Sequence, residues 1–154
     1  MSELKVSLQN DLTTAIRAKD QLTTGTLRMV LSAITNEEVS GKSARELSDQ
    51  EVITVLNREA KKRKEAATAF DDAGRSELAD RERAELGVLA KYLPEELSQD
   101  ALIAIISDAV AQVTATGQAG PSAMGAVMKI VSPQVTGRAD GAAVAAAVKA
   151  ALAN

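Results

Sequence analysis

An all-α fold is expected for this chain of 154 residues, on three observations. Apolar residues recur three or four positions apart along most of the chain, which is the spacing of one face of an amphipathic helix. Residues that favour helix N-termini precede several of these series, and glycine or proline follows them. No stretch alternates apolar and polar residues between turn residues, so we expect no sheet.

Two helices are expected before residue 41. The first has Ser2 as its N-cap, and its apolar face comprises Leu4, Leu8, Leu12 and Ile16. The second is expected to end before Gly41, and its apolar face comprises Leu27, Val30, Leu31 and Ile34. Each of these helices has one side that can face a core.

Two further helices complete the predicted N-terminal bundle of about four helices. The sequence Ser48-Asp49-Gln50-Glu51 has the form of a capping box, in which hydroxyl and carboxylate satisfy each other's backbone amides. It opens a long helix that is expected to end near Gly74, with Phe70 on its apolar stripe. Ser76 is expected to cap a fourth helix, which continues to Leu93.

A change in composition near Pro94 predicts a domain boundary. Residues 1–96 carry 15 Lys/Arg and 18 Asp/Glu, whereas residues 97–154 carry three of each and 17 alanines. Pro94 is expected to end the fourth helix, because the residue before a proline is pushed out of the α region. We predict an N-terminal helical domain at residues 1–94 and a small helical tail domain at residues 97–154.

Three helices are expected in the tail domain. Ser98 can cap the first, whose apolar face includes Leu102, Ile106 and Val113. The second begins near Met124 and is expected to be cut by Pro133. Asp140 can cap the last, which carries Val144, Val148 and Leu152.

The composition excludes several kinds of chemistry. The chain has no Cys and no His, which excludes thiol catalysis, disulfides, Cys/His zinc sites and imidazole acid–base catalysis. Adjacent acidic residues diverge on a helix, so we expect no metal and no cofactor. The N-terminus is polar and charged and no stretch is apolar enough to span a bilayer, so we expect a cytoplasmic protein without membrane contact. A net charge of −3 and almost no aromatic residues also disfavour DNA as a partner.

Arg63 and Glu59 are unusual among the charged residues of the third helix. They lie four positions apart and project near the apolar stripe. One interpretation is an ion pair at the edge of the core, with the arginine stem covering apolar surface and its head reaching solvent. The other is an anion-binding arginine oriented by Glu59, since a guanidinium suits phosphate.

Two blocks near the C-terminus carry a family resemblance. Met124-Gly125-Ala126-Val127-Met128, followed by Gly137-Arg138-Ala139-Asp140-Gly141, resembles the signature of the GatB/YqeY family. Two other stretches are similar to stand-alone YqeY-like proteins: Leu27-Arg28-Met29 leading to Asn36-Glu37-Glu38, and Leu89-Ala90-Lys91-Tyr92-Leu93-Pro94. The resemblance implies a helical bundle joined to a three-helix tail. A tail of this kind also ends the B subunit of the glutamine-dependent amidotransferases that correct misacylated tRNA, where it is associated with holding the tRNA.

The residues of the C-terminal signature allow two interpretations. Gly137 can adopt a positive φ, Asp140 can cap the last helix, and Gly141 can permit close approach of another backbone, so the block can be a simple joint between helices. Alternatively, Arg138 with Lys129 and Lys149 forms a small face that binds the phosphates of a nucleic acid. Gly125 belongs to the structural part of the motif.

Three functions follow as expectations. The favoured one is a noncatalytic accessory module that associates with tRNA or with a tRNA aminoacylation or amidotransferase complex. The alternative, implied by the family grouping, is a carbon–nitrogen ligase (amidotransferase) with glutamine as amido donor. A third is an adaptor that binds proteins through the charged N-terminal helices.

Overall fold

The computed structural model describes residues 1–153, and within that range it contains helices and no strand. The all-α prediction is therefore confirmed. The helices are α1 (Glu3–Arg17), α2 (Gln21–Val39), α3 (Asp49–Asp72), α4 (Ser76–Ala90), α5 (Gln99–Thr114), α6 (Met124–Val135) and α7 (Gly141–Leu152), with a 3₁₀ turn at Gly120–Ala123. None of these helices is both long and apolar enough to cross a membrane.

The caps expected at four helix starts are present. In each, a side-chain oxygen accepts a hydrogen bond from the backbone amide three residues later, and the capping residues are Ser2, Ser48, Ser98 and Asp140. At Ser48 the box is complete, since the carboxylate of Glu51 accepts from the Ser48 amide at 2.9 Å. Asp20 caps α2 in the same way, which the apolar spacing had not indicated.

The fourth helix differs from the prediction at both ends. Ser76 is its first helical residue rather than its cap, because the carbonyl of Arg75 already accepts the first helical bond, from Ala79 at 3.1 Å. Arg75 is the capping residue and makes no capping bond through its side chain. The helix ends at Ala90, so Leu93 lies beyond it.

Pro133 does not cut α6. The helix continues to Val135, and the Ser132 carbonyl accepts from the Thr136 amide at 3.0 Å. A proline removes one backbone donor, and here the loss falls within the last turn, where the remaining bonds still close the helix.

The chain divides into two compact units, Met1–Leu93 and a second that begins at Pro94. The first contains α1 to α4, and its core is built mainly from leucine, valine and isoleucine. The largest of its fully buried side chains are Leu8, Leu27, Ile34, Leu56 and Leu89. The single tyrosine, Tyr92, donates a hydrogen bond to Asp11 Oδ2 at 2.6 Å, and burial together with this bond raises the pKa of Tyr92.

The second unit contains α5 to α7 and has a core of its own. Its fully buried side chains are smaller, comprising Ala109, Ala123, Val127, Val131, Val144 and Val148. Valine and alanine at these positions allow thin helices to pack closely, as the alanine-rich composition indicated.

Candidate functional site

The signature block forms the joint between α6 and α7. The Val135 carbonyl accepts from the amides of Arg138 and Ala139, at 2.8 and 3.1 Å. Gly137 has φ +78°, the left-handed conformation that glycine adopts without steric cost. The Arg138 carbonyl accepts from the Leu97 amide at 2.8 Å, so the joint is also tied to the segment before α5.

Two glycines of the motif have open space around them. A Cβ placed on Gly141 would meet nothing within 4 Å, so the expectation of close backbone approach there was wrong. A Cβ placed on Gly125 would also meet nothing within 4 Å. Gly141 is the first residue of α7, where an exposed position does not need glycine for space.

The three cations predicted to contact phosphate lie on different parts of the second unit. Lys129 is on α6, Arg138 is in the joint, and Lys149 is in the last turn of α7, and all three side chains are exposed. Arg138 Nε donates to the Glu95 carbonyl at 3.4 Å. The phosphate-binding face formed by these three cations stays a prediction.

Charge is unevenly distributed among the three helices of the second unit, and Glu95 and Glu96 precede the first of them. The acidic residues of α5 are Asp100 and Asp108, whereas α6 and α7 carry one lysine each and no acidic residue. Asp140, at the start of α7, accepts a bond from the Ala143 amide at 3.2 Å. The segment from α6 to α7 therefore carries more positive than negative charge.

Arg63 and Glu59 do come together, as the spacing predicts. Arg63 Nη1 donates to both the backbone carbonyl and Oε2 of Glu59, at 3.0 and 3.1 Å. Its Nε lies 3.3 Å from Glu85 Oε2 on α4, and Nη2 donates to the sulfur of Met29 on α2. The head of Arg63 is buried rather than in solvent, because three helices surround it.

The pKa of Glu59 lies below its ordinary value. Burial opposes ionisation of this carboxyl, but hydrogen bonds from Lys62 and Arg63 outweigh that effect. Glu59 is therefore a carboxylate at neutral pH, and it accepts from Lys62 Nζ at 2.9 Å.

A groove of about 400 Å³ lies beside this ion-pair network. Its polar lining comprises Lys62, Arg63, Arg81, Glu82 and Glu85, and its apolar lining includes Met29, Phe70 and Leu78. Positive and negative side chains nearly balance, and an incoming anion would compete with Glu59 and Glu85 for the guanidinium. The anion site at Arg63 stays a prediction.

A second groove, of about 480 Å³, was not anticipated. It is lined by Leu12 of α1 and by Arg28, Leu31, Ser32, Thr35 and Asn36 of α2. The signal in the sequence is the spacing of its four polar residues, which places them on one helix face. Within residues 1–153 no group of three carboxylates is placed to hold a metal ion.

Comparisons with known proteins place the chain in a family. Residues 5–152 match the family described as Yqey-like protein. An uncharacterized protein of Schizosaccharomyces pombe is 31% identical over 96 residues, which cover 62% of this chain and 76% of that protein. The proteins named altered inheritance of mitochondria protein 41, mitochondrial, are 34% identical over 87 residues in Clavispora lusitaniae and 33% over 90 residues in a Saccharomyces cerevisiae strain.

The matches to the two mitochondrial relatives cover only part of each protein. They cover 56% and 57% of this chain and 49% and 47% of the relatives, so the chain spans about half the length of the mitochondrial proteins it matches. The family match, in contrast, includes both units from α1 to α7. The chain belongs to the YqeY-like protein family.

Proposed function

We propose that this protein is a noncatalytic, cytoplasmic module that associates with tRNA or with a tRNA-handling complex through the segment from α6 to α7. The observation that carries the proposal is the exposed guanidinium of Arg138, which projects from a turn that backbone hydrogen bonds hold in place. A guanidinium contacts a phosphate through two parallel donors, and the backbone of an ordered turn loses no freedom on binding.

The charge distribution supports the same segment. Lys129 and Lys149 add two exposed ammonium groups, and the acidic residues of α5 are on another helix. Lys149 also lies in the last turn of α7. Three phosphate contacts would give a binding constant that falls with the logarithm of salt with a slope of about −3.

A module that binds without reacting is consistent with the side chains present. The chain offers neither imidazole nor thiol. The alternative function, a glutamine-dependent carbon–nitrogen ligase, stays a prediction of the resemblance, and no contact of the described residues favours it. Some relatives are named as mitochondrial proteins, so a mitochondrial location is the alternative to the proposed one.

The test is a comparison of two doubly substituted proteins in binding to a tRNA transcript over a range of low salt concentrations. Lys129→Ala with Arg138→Ala is expected to weaken binding and to reduce the salt slope by about two. The matched control is Lys42→Ala with Arg75→Ala, which removes the same charge from exposed connecting segments of the first unit. Equal affinity and slope for the first variant and the unsubstituted protein would contradict the proposal.

A further inference from the structure

Four polar residues form one exposed face of α2. Arg28, Ser32, Thr35 and Asn36 are all exposed and line the second groove. At about 100° and 1.5 Å per residue, they fall within an arc of about 100° and extend along about 12 Å of the helix. Leu12 and Leu31 are half-buried and form the apolar wall beside them. We call these four residues the α2 polar face.

Arg28 differs from the other cations of the first unit, which the structure describes in full. Its side chain makes no hydrogen bond or ion pair, and the residues three and four positions away on its helix are uncharged. The other cations of residues 1–93 that make no ion pair lie at helix ends or in connecting segments: Arg17, Lys19, Lys42, Arg75 and Lys91, of which Lys91 attracts the carboxylate of Asp20. Arg28 is thus an unpaired guanidinium in the middle of a helix, beside a groove.

The carboxylates nearest in sequence to this face are already engaged. Glu37 accepts from Arg58 at 3.1 Å, and Glu38 pairs with Lys5 at 2.7 Å. Asp11, next to Leu12, accepts the hydrogen bond of the single tyrosine and keeps its negative charge, because that phenol is neutral. None of these three carboxylates forms an ion pair with Arg28, whose guanidinium lies beside hydroxyl and carboxamide groups on the α2 polar face.

Arginine, serine, threonine and asparagine are the side chains that bind phosphate and sugar in nucleic-acid complexes. The groove has no aromatic lining, and binding of single strands relies on stacking of bases on aromatic rings. Double-helical RNA instead presents regularly spaced phosphates and 2′-hydroxyls to a polar surface. We infer that the α2 polar face binds the sugar–phosphate backbone of an RNA double helix, a second contact that rests on the proposed association with RNA.

The test measures binding of the full chain to an RNA hairpin with a stem of about 16 base pairs, as a function of salt. Arg28→Ala is expected to weaken binding about threefold to tenfold and to reduce the salt slope by about one. Arg75→Ala is the matched control, since it removes an exposed, unpaired arginine of the same unit and is expected to leave binding unchanged. Ser32→Ala with Asn36→Ala, which leaves the charge unchanged, is expected to weaken binding to the hairpin as well.

Each further outcome bears on one of the two ideas. If Arg28→Ala binds as tightly as Arg75→Ala, the inference is overturned, even where Lys129→Ala with Arg138→Ala weakens binding and the proposed function stands. If Arg28→Ala weakens binding and Lys129→Ala with Arg138→Ala does not, the inference is supported and the role of the α6–α7 segment is contradicted. Tighter binding of single-stranded RNA or of polyglutamate than of the hairpin would overturn the double-helical partner. A chain that binds no RNA overturns the inference and the direct association with tRNA.

Discussion

At the scale of single residues, Arg63 shows how burial changes the contribution of a charged side chain to stability. Its guanidinium lies between Glu59 on α3 and Glu85 on α4, and its side chain is 6% exposed. Bringing these groups out of water costs free energy, which their mutual attraction offsets only while all three are present. The spacing of four residues predicts the contact with Glu59, but Glu85 is 22 positions away in sequence, so only packing reveals it.

Replacing Arg63 by alanine is expected to lower the free energy of unfolding by about 3–5 kcal/mol, because two carboxylates lose their buried partner. Urea denaturation followed by circular dichroism measures it. Arg58→Ala is the matched control on the same helix, since the Arg58 side chain is 55% exposed and its pair with Glu37 contributes at most about 1 kcal/mol. Equal losses for the two variants would show that the network contributes no more than a surface ion pair.

At the scale of elements, the helix ends were mostly predictable from local sequence. Ser48 and Glu51 form the predicted capping box, since each reaches only three residues along the chain. Ser76 was misassigned because Arg75, directly after Gly74 at φ +71°, occupies the N-cap position of α4. A cap depends on where the preceding turn places the backbone, and residue type alone does not report that.

Two glycines in the joint between α6 and α7 are expected to respond differently to replacement by alanine. Gly137→Ala is expected to destabilise the protein by about 1–2 kcal/mol, because a Cβ is disfavoured at a left-handed φ. Gly141→Ala is expected to be neutral or to stabilise by up to about 1 kcal/mol, since the new Cβ meets nothing within 4 Å and the unfolded chain loses freedom. Thermal unfolding of the two variants measures these changes in stability. A larger loss of stability for Gly141→Ala than for Gly137→Ala would contradict the prediction.

At the scale of the whole molecule, each unit has its own core, but the two cores differ in kind. The first buries several leucines completely, whereas the fully buried side chains of the second are valine and alanine. Valine removes less apolar surface from water than leucine, and a unit of about 60 residues buries a smaller share of its surface than a larger one.

We therefore expect residues 1–93, expressed alone, to be helical and to unfold at a higher temperature than residues 94–154 expressed alone. Circular dichroism at 222 nm during heating measures both transitions. A fragment 1–93 without helical signal would show that the first core is insufficient by itself. A higher unfolding temperature for the second fragment would contradict the ranking of the cores.

The amino-acid sequence by itself determined the helices, four of the caps and the positive φ of Gly137, because these depend on residues within one or two turns of each other. It also placed Glu59 beside Arg63. Only the tertiary structure decided that Glu85 completes this network, that Gly141 has open space, and that Arg28 faces a groove without a partner. These features depend on which segments meet in space, and local periodicity does not encode the contacts between distant helices.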